Sequence, residues 1–176
     1  NSIAEDLSGE NLSPLDISKL KDLKHPPKLR DFSVSISHCD GIGGYVIERG
    51  TNKALGLDLE VSSRIKEKTV ARVSTEREVT LVPDARHLWC IKEACLKAIS
   101  NRDSSLVKSV TEIRVHRLEP ENTNEFKGID AHRFSAGLTS NPTGLLVEGR
   151  SFAFQDYMLA WARTFPSTLG QDSPNY

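Results

Sequence analysis

Leu88, Ile91, Ala94, Cys95, Ala98 and Ile99 recur at intervals of three and four residues. At about 100° per residue they form one apolar stripe along a helix. No other stretch constrains the fold as much, because a helix with one apolar stripe needs a second layer to cover it. The flanking sequence offers strands for that layer. Leu55, Leu57 and Leu59 alternate with Gly56, Asp58 and Glu60, which is the period of a strand with one face buried and the other turned to solvent. Phe32–Ser37, Gly43–Glu48 and Ala54–Glu60 read as an antiparallel meander, with turns at Cys39-Asp40-Gly41 and at Gly50-Thr51-Asn52-Lys53. Pro83 and Asp84 open the helix, which is expected to run to about Ser100. Ile113–Leu118 alternates again, and Glu119–Lys127 reads as a polar connection. Leu145–Glu148, a turn at Gly149-Arg150, and Ser151–Phe154 read as a hairpin, followed by a strand over Tyr157–Ala162. The expected class is α+β, an antiparallel sheet packed on a long helix.

The chain has 176 residues, 38% of them hydrophobic, enough for one ordinary core. Three divisions are expected. Residues 1–30 form an extension whose short helix starts at Ser13-Pro14 and stops before Pro26-Pro27. Residues 31–165 form the domain, and residues 166–176 read as a disordered tail. The net charge of −1 argues against a general nucleic-acid binder. Cys39, Cys90 and Cys95 lack zinc-finger spacing and suggest reduced thiols. No apolar run approaches the roughly 18 residues of a membrane span, and no signal peptide is visible. A cytoplasmic protein without a membrane partner is expected.

The chemistry-bearing residues fall in the same two stretches. Asp58 and Glu60 share one strand face about 7 Å apart, where like charges repel, and Gly56 before them lets a group approach the backbone. Glu93 and Lys97 lie one turn apart on the side of the helix away from the stripe, a surface ion pair or the wall of a cleft. Trp89 and Leu96 flank that pair outside the stripe. Thr75 with Glu78 reads as a capping box opening a further helix. Arg64, Lys66, Lys68 and Arg72 make a basic run directly after the carboxylate strand.

Gly56-x-Asp58-x-Glu60, followed by Trp89-x-x-Lys92-Glu93-Ala94-x-x-Lys97, resembles the 4′-phosphopantetheinyl transferases. Ser35-Ile36-Ser37-His38 upstream resembles a third motif of the larger, surfactin-synthetase-activating type. The resemblance spans about Pro26 to Phe165. It implies the family's α+β domain and transfer of 4′-phosphopantetheine from coenzyme A to a serine hydroxyl of an acyl or peptidyl carrier protein. That reaction releases adenosine 3′,5′-bisphosphate. Mg²⁺, or Mn²⁺ in its place, is implied with Asp58, Glu60 and Glu93 as ligands. Asp58, Glu93 and Lys97 are implied as catalytic, with Glu93 or Glu60 as proton acceptor and Lys97 neutralising phosphate. Ser37, His38 and Lys97 are implied to contact coenzyme A. So is Lys24, where a solvated surface lysine is the equal alternative; for His38 the bland reading is a strand-end hydrogen bond. Either Glu76 or Glu78 stands where the family has a supporting acidic residue. The basic run is expected to steer an acidic carrier.

Two departures from the larger type are visible. Few residues precede the Ser-His motif, so most of the N-terminal pseudo-repeat is expected to be missing, and the interval from Glu60 to Glu93 is short. A homo-oligomer, in the first place a trimer, is therefore expected to complete the coenzyme A cleft, with Trp89 and Leu96 partly bare in a monomer. The alternative from a different class is a catalytically silent family member that binds coenzyme A or a carrier protein. The presence of Asp58, Glu60, Glu93 and Lys97 together favours the enzyme.

Overall fold

The computed structural model describes residues 31–50, 53–121, 129–140 and 144–165. The expected N-terminal helix, Lys24 and the tail lie outside the described residues. Two antiparallel sheets and one principal helix make up the α+β structure. Strands β1 (Phe32–Cys39) and β2 (Ile42–Arg49) form a hairpin of their own. Its turn is Asp40-Gly41, both at positive φ. A five-stranded sheet has the order β3-β7-β6-β5-β4. Its strands are β3 (Leu55–Val61), β4 (Ile113–Pro120), β5 (Asp130–Leu138), β6 (Leu146–Phe154) and β7 (Tyr157–Phe165). Between β3 and β4 run two short helices, α1 (Glu67–Val73) and α2 (Glu76–Val79), and the 17-residue α3 (Arg86–Arg102).

The expected three-stranded meander does not form. β3 leaves the hairpin and takes β7 as its ladder partner, Asp58 opposite Ala160. Its other edge meets β1 through side chains: the Leu57 and Leu59 amides donate to Ser35 Oγ at 2.9 Å and Ser37 Oγ at 3.1 Å. Ser35 and Ser37 thus do what a strand backbone would otherwise do, satisfying buried edge amides.

The leucine face of β3 was expected to be the core side and the Gly56-Asp58-Glu60 face to be solvated. The structure corrects this: Leu55, Leu57, Leu59, Gly56 and Asp58 are all buried. Leu57 packs toward the hairpin near Gly44, while Gly56 lies against the backbone of α3. A Cβ on Gly56 would fall 1.9 Å from the Ala94 carbonyl oxygen and 2.5 Å from the Ala98 amide nitrogen. The glycine is what lets helix and strand lie this close.

Two strand assignments also change. β5 was missed, although His132, Phe134, Ala136 and Leu138 alternate and are buried. Gly149-Arg150 is no turn. It lies inside β6 and pairs with β5 and β7, the Phe134 ring filling the space a side chain at Gly149 would need. The turn falls at Gln155-Asp156, with Gln155 at positive φ. The main core lies between α3 and the helix-facing residues of the sheet, among them Met158, Ala160 and Ala162. Trp89 and Leu96 are partly buried and pack against this core. No helix among the described residues is long and apolar enough to cross a membrane.

Candidate functional site

Lys97 connects the elements that carry the expected site. Its ammonium donates to Asp58 Oδ1 at 2.8 Å, to the Leu57 carbonyl at 2.9 Å and to Ser37 Oγ at 3.4 Å. One residue thereby joins α3, β3 and β1. The pair Glu93 and Lys97 was placed on the outer side of the helix. Both are instead half-buried, because the hairpin and the edge of β3 cover that side.

Asp58 is 8% exposed. Its Oδ2 is buried and meets no nitrogen or oxygen donor among the described residues. A buried carboxylate oxygen without a donor is costly unless something positively charged or protic satisfies it. The nearby Cys90 thiol has its pKa raised well above the ordinary range, first by burial and then by the charge of Asp58. Glu93 is also raised, by burial first and then by Asp58, with Lys97 opposing. Glu60 is half-buried and turns Oε1 back to accept from the Val61 amide at 2.8 Å. The charge of Asp58 therefore reaches Glu93 across the helix–strand contact.

A groove of about 490 Å³ opens beside this contact. Ser35, Ile36, Ser37 and His38 line one wall, and Leu96, Lys97, Ser100 and Asn101 the other. Ligand pockets commonly run from about 300 to 1,000 Å³. Ser37 is buried and already accepts from Leu59 and Lys97, so it positions the lysine as well as lining the groove. His38 is exposed at the rim.

Of Glu76 and Glu78, the structure buries Glu78, at 2% exposure, and leaves Glu76 exposed. Glu78 closes the expected capping box with Thr75. It also bonds Lys92 at 2.7 Å and accepts from the Val115 amide at 2.9 Å. Burial alone would raise its pKa. The bonds from Lys92, Thr75 and Val115 outweigh burial and hold the carboxyl below its ordinary range. Lys92, fully buried, also donates to the Ile113 carbonyl at 2.6 Å, and burial draws its pKa down against the pull of Glu78. The middle of Trp89-x-x-Lys92-Glu93 is therefore split: Lys92 anchors the helix to α2 and β4, and Glu93 turns toward β3.

No protein-family model matches this chain, and no curated protein matches it significantly.

One cluster was not anticipated from the sequence. Among the described residues, the group of three metal-ligating side chains whose donor atoms converge is His87, Asp130 and His132, all within 4.8 Å. Asp58, Glu60 and Glu93 do not form such a group as they stand. His87 Nδ1 is 2.7 Å from Ser151 Oγ, and its Nε2 is 3.2 Å from Asp130 Oδ2. Burial is the main cause lowering the His87 pKa, against the hydrogen bond to Asp130. The two residues from β5 were missed with the strand itself; the period-2 pair Asp130-x-His132 was the available signal.

Proposed function

We propose that this chain is a 4′-phosphopantetheinyl transferase, carrying phosphopantetheine from coenzyme A to a serine hydroxyl of an acyl or peptidyl carrier protein. The observation that carries the reading is Asp58. It is buried beside Lys97, which lines the Ser35–His38 groove, is bonded to that lysine through one oxygen, and keeps the other oxygen without a nitrogen or oxygen donor among the described residues. A spare buried carboxylate oxygen, with Glu93 and Glu60 nearby, fits a hard divalent cation that takes carboxylate, phosphate and water oxygens. Asp58, Glu60 and Glu93 would hold Mg²⁺, or Mn²⁺, which supplies neutralisation of the pyrophosphate charge.

The residues of the chain have separable tasks. Lys97 is fixed by Ser37 and the Leu57 carbonyl with its ammonium at the groove. There it stabilises negative charge as it moves onto the leaving bisphosphate. His38 at the rim and Ser37 in the wall contact the phosphates of coenzyme A. The carrier serine oxygen bonds to the pantetheine-side phosphorus, the bond from that phosphorus to the bridging oxygen breaks, and adenosine 3′,5′-bisphosphate leaves with the electron pair. The serine proton goes to Glu93, or to Glu60 in its place. Phosphoryl chemistry of this kind rests mainly on positioning and charge, and the groove and the Lys97–Asp58 contact supply both.

The test is intact-mass analysis of a serine-bearing apo-carrier incubated with the chain, coenzyme A and Mg²⁺. The carrier should gain one phosphopantetheine, and Asp58→Asn should abolish the gain. Coenzyme A binding without any mass gain would mark a silent binding protein. Absence of both would overturn the family reading.

A further inference from the structure

We propose that His87, Asp130 and His132 form a three-ligand zinc site with an open fourth position, independent of the transfer reading. The three donors come from two elements: His87 from the first turn of α3, and Asp130 and His132 from one face of β5. His87 Nε2 faces Asp130 Oδ2 at 3.2 Å, and His132 Nδ1 faces Asp130 Oδ1 at 3.5 Å. The two rings meet edge-on with centroids 4.8 Å apart. Donor atoms around tetrahedral zinc are about 3.3 Å from one another, given bonds of roughly 2.0 Å. The two His–Asp distances already match, and a small ring rotation brings the two histidines into range.

The second observation is His132 Nδ1 itself. The residue is 3% exposed, and this nitrogen is buried with no hydrogen-bond partner among the described residues. It is aimed at the carboxylate it does not bond. A cation between them satisfies the nitrogen lone pair and the carboxylate together. Ser151 completes the arrangement. It is fully buried on β6, opposite His132 in the ladder, and its Oγ lies 2.7 Å from His87 Nδ1. With a metal on Nε2 the ring proton sits on Nδ1 and donates to this Oγ, the usual second partner of a metal-bound histidine.

The donor set decides the metal class. Two imidazole nitrogens and one carboxylate suit zinc and its borderline neighbours, whereas Mg²⁺ and Ca²⁺ seek oxygen throughout. Asp130 is 51% exposed while both histidines are buried. The open coordination position therefore faces solvent on the aspartate side. The site is also distinct from the Asp58 centre. Asp58, Ala160, Ser151 and His132 are successive cross-strand partners in one row. Three strand spacings put Asp58 and His132 about 14 Å apart beneath the same helix.

The experiment is titration of the full chain with Zn²⁺ in excess Mg²⁺, by calorimetry and by melting, with Co²⁺ as the spectroscopic probe. One metal per chain is expected, with cobalt d–d bands and no thiolate charge-transfer band. At about a hundredfold excess over Kd the melting temperature should rise by roughly 5–10 °C. Asp130→Asn, at a half-exposed position, should weaken uptake at least tenfold with unchanged circular dichroism. His132→Gln should do the same, and Asp58→Asn should leave uptake unaltered. No saturable uptake at micromolar Zn²⁺, uptake indifferent to Asp130→Asn, or a thiolate band placing the metal on a cysteine would each overturn the site. The carrier mass assay is not needed to read any of these outcomes.

Discussion

Gly56→Ala tests the central contact of the molecule. The new Cβ would stand 1.9 Å from the Ala94 carbonyl oxygen and 2.5 Å from the Ala98 amide nitrogen. Ordinary contact begins near 3.4 Å, so helix and strand must separate by about 1.5 Å. Both obstacles are backbone, and neither can swing aside as a side chain would. Overpacking typically costs about 1–3 kcal/mol, and occasionally more. With backbone on the far side, the upper end, about 3 kcal/mol, applies here. For a chain of this size 1 kcal/mol moves the melting temperature by about 2–4 °C, giving a fall of roughly 6–12 °C. Differential scanning calorimetry measures it, with Gly44→Ala as control. At Gly44 the nearest atom to a new Cβ is Leu57 Cδ2 at 3.6 Å, so that variant should melt within about 2 °C of the wild type. If Gly56→Ala melts as high as Gly44→Ala, the close approach of α3 to β3 is wrong. The ion pair between Lys97 and Asp58 would then lose its structural basis too.

Two further outcomes follow from the buried charges. Lys92→Met should cost about 3–5 kcal/mol, since it strands the Glu78 carboxylate. Adding Glu78→Gln should restore part of the loss in a urea double-mutant cycle, and purely additive effects would show that the two are not coupled. Folding raises the Glu93 pKa above its ordinary 4.5, so the folded chain holds that proton more tightly than the unfolded chain. The carboxyl's contribution is thus fully present below the unfolded pKa and lost as pH rises through the folded one. Glu93→Gln should therefore be more stable than wild type at neutral pH, the gap closing toward about pH 4. Melting across that range checks it, and a pH-independent gap would refute the buried placement of Glu93.

The element types were largely legible in the sequence because their periods are local. The stripe Leu88 to Ile99, the alternation in β1 to β3 and the Thr75–Glu78 box each need only neighbouring residues to be recognised. The motif residues Asp58, Lys97 and Glu93 were legible in the same way. Which side each faces was not, because facing depends on what else arrives. Gly56 read as a slot for a ligand, yet it receives α3. Asp58 and Glu60 read as a solvated face, yet Asp58 lies under the helix, because β1 leaves Leu55, Leu57 and Leu59 a separate place to pack.

Ser35 and Ser37 read as a strand and half of a motif, and only the neighbouring edge of β3 shows why both hydroxyls are needed there. Glu76 and Glu78 were indistinguishable until the helix turned one of them onto Lys92. His87 and His132 lie far apart in the chain and belong to no shared period. Local order was set by sequence, since backbone preference and side-chain period act over a few residues. The pairing of Lys97 with Asp58, and of His87 with His132, was set by the tertiary structure, because charge and coordination act through space between strands that the chain order does not place side by side.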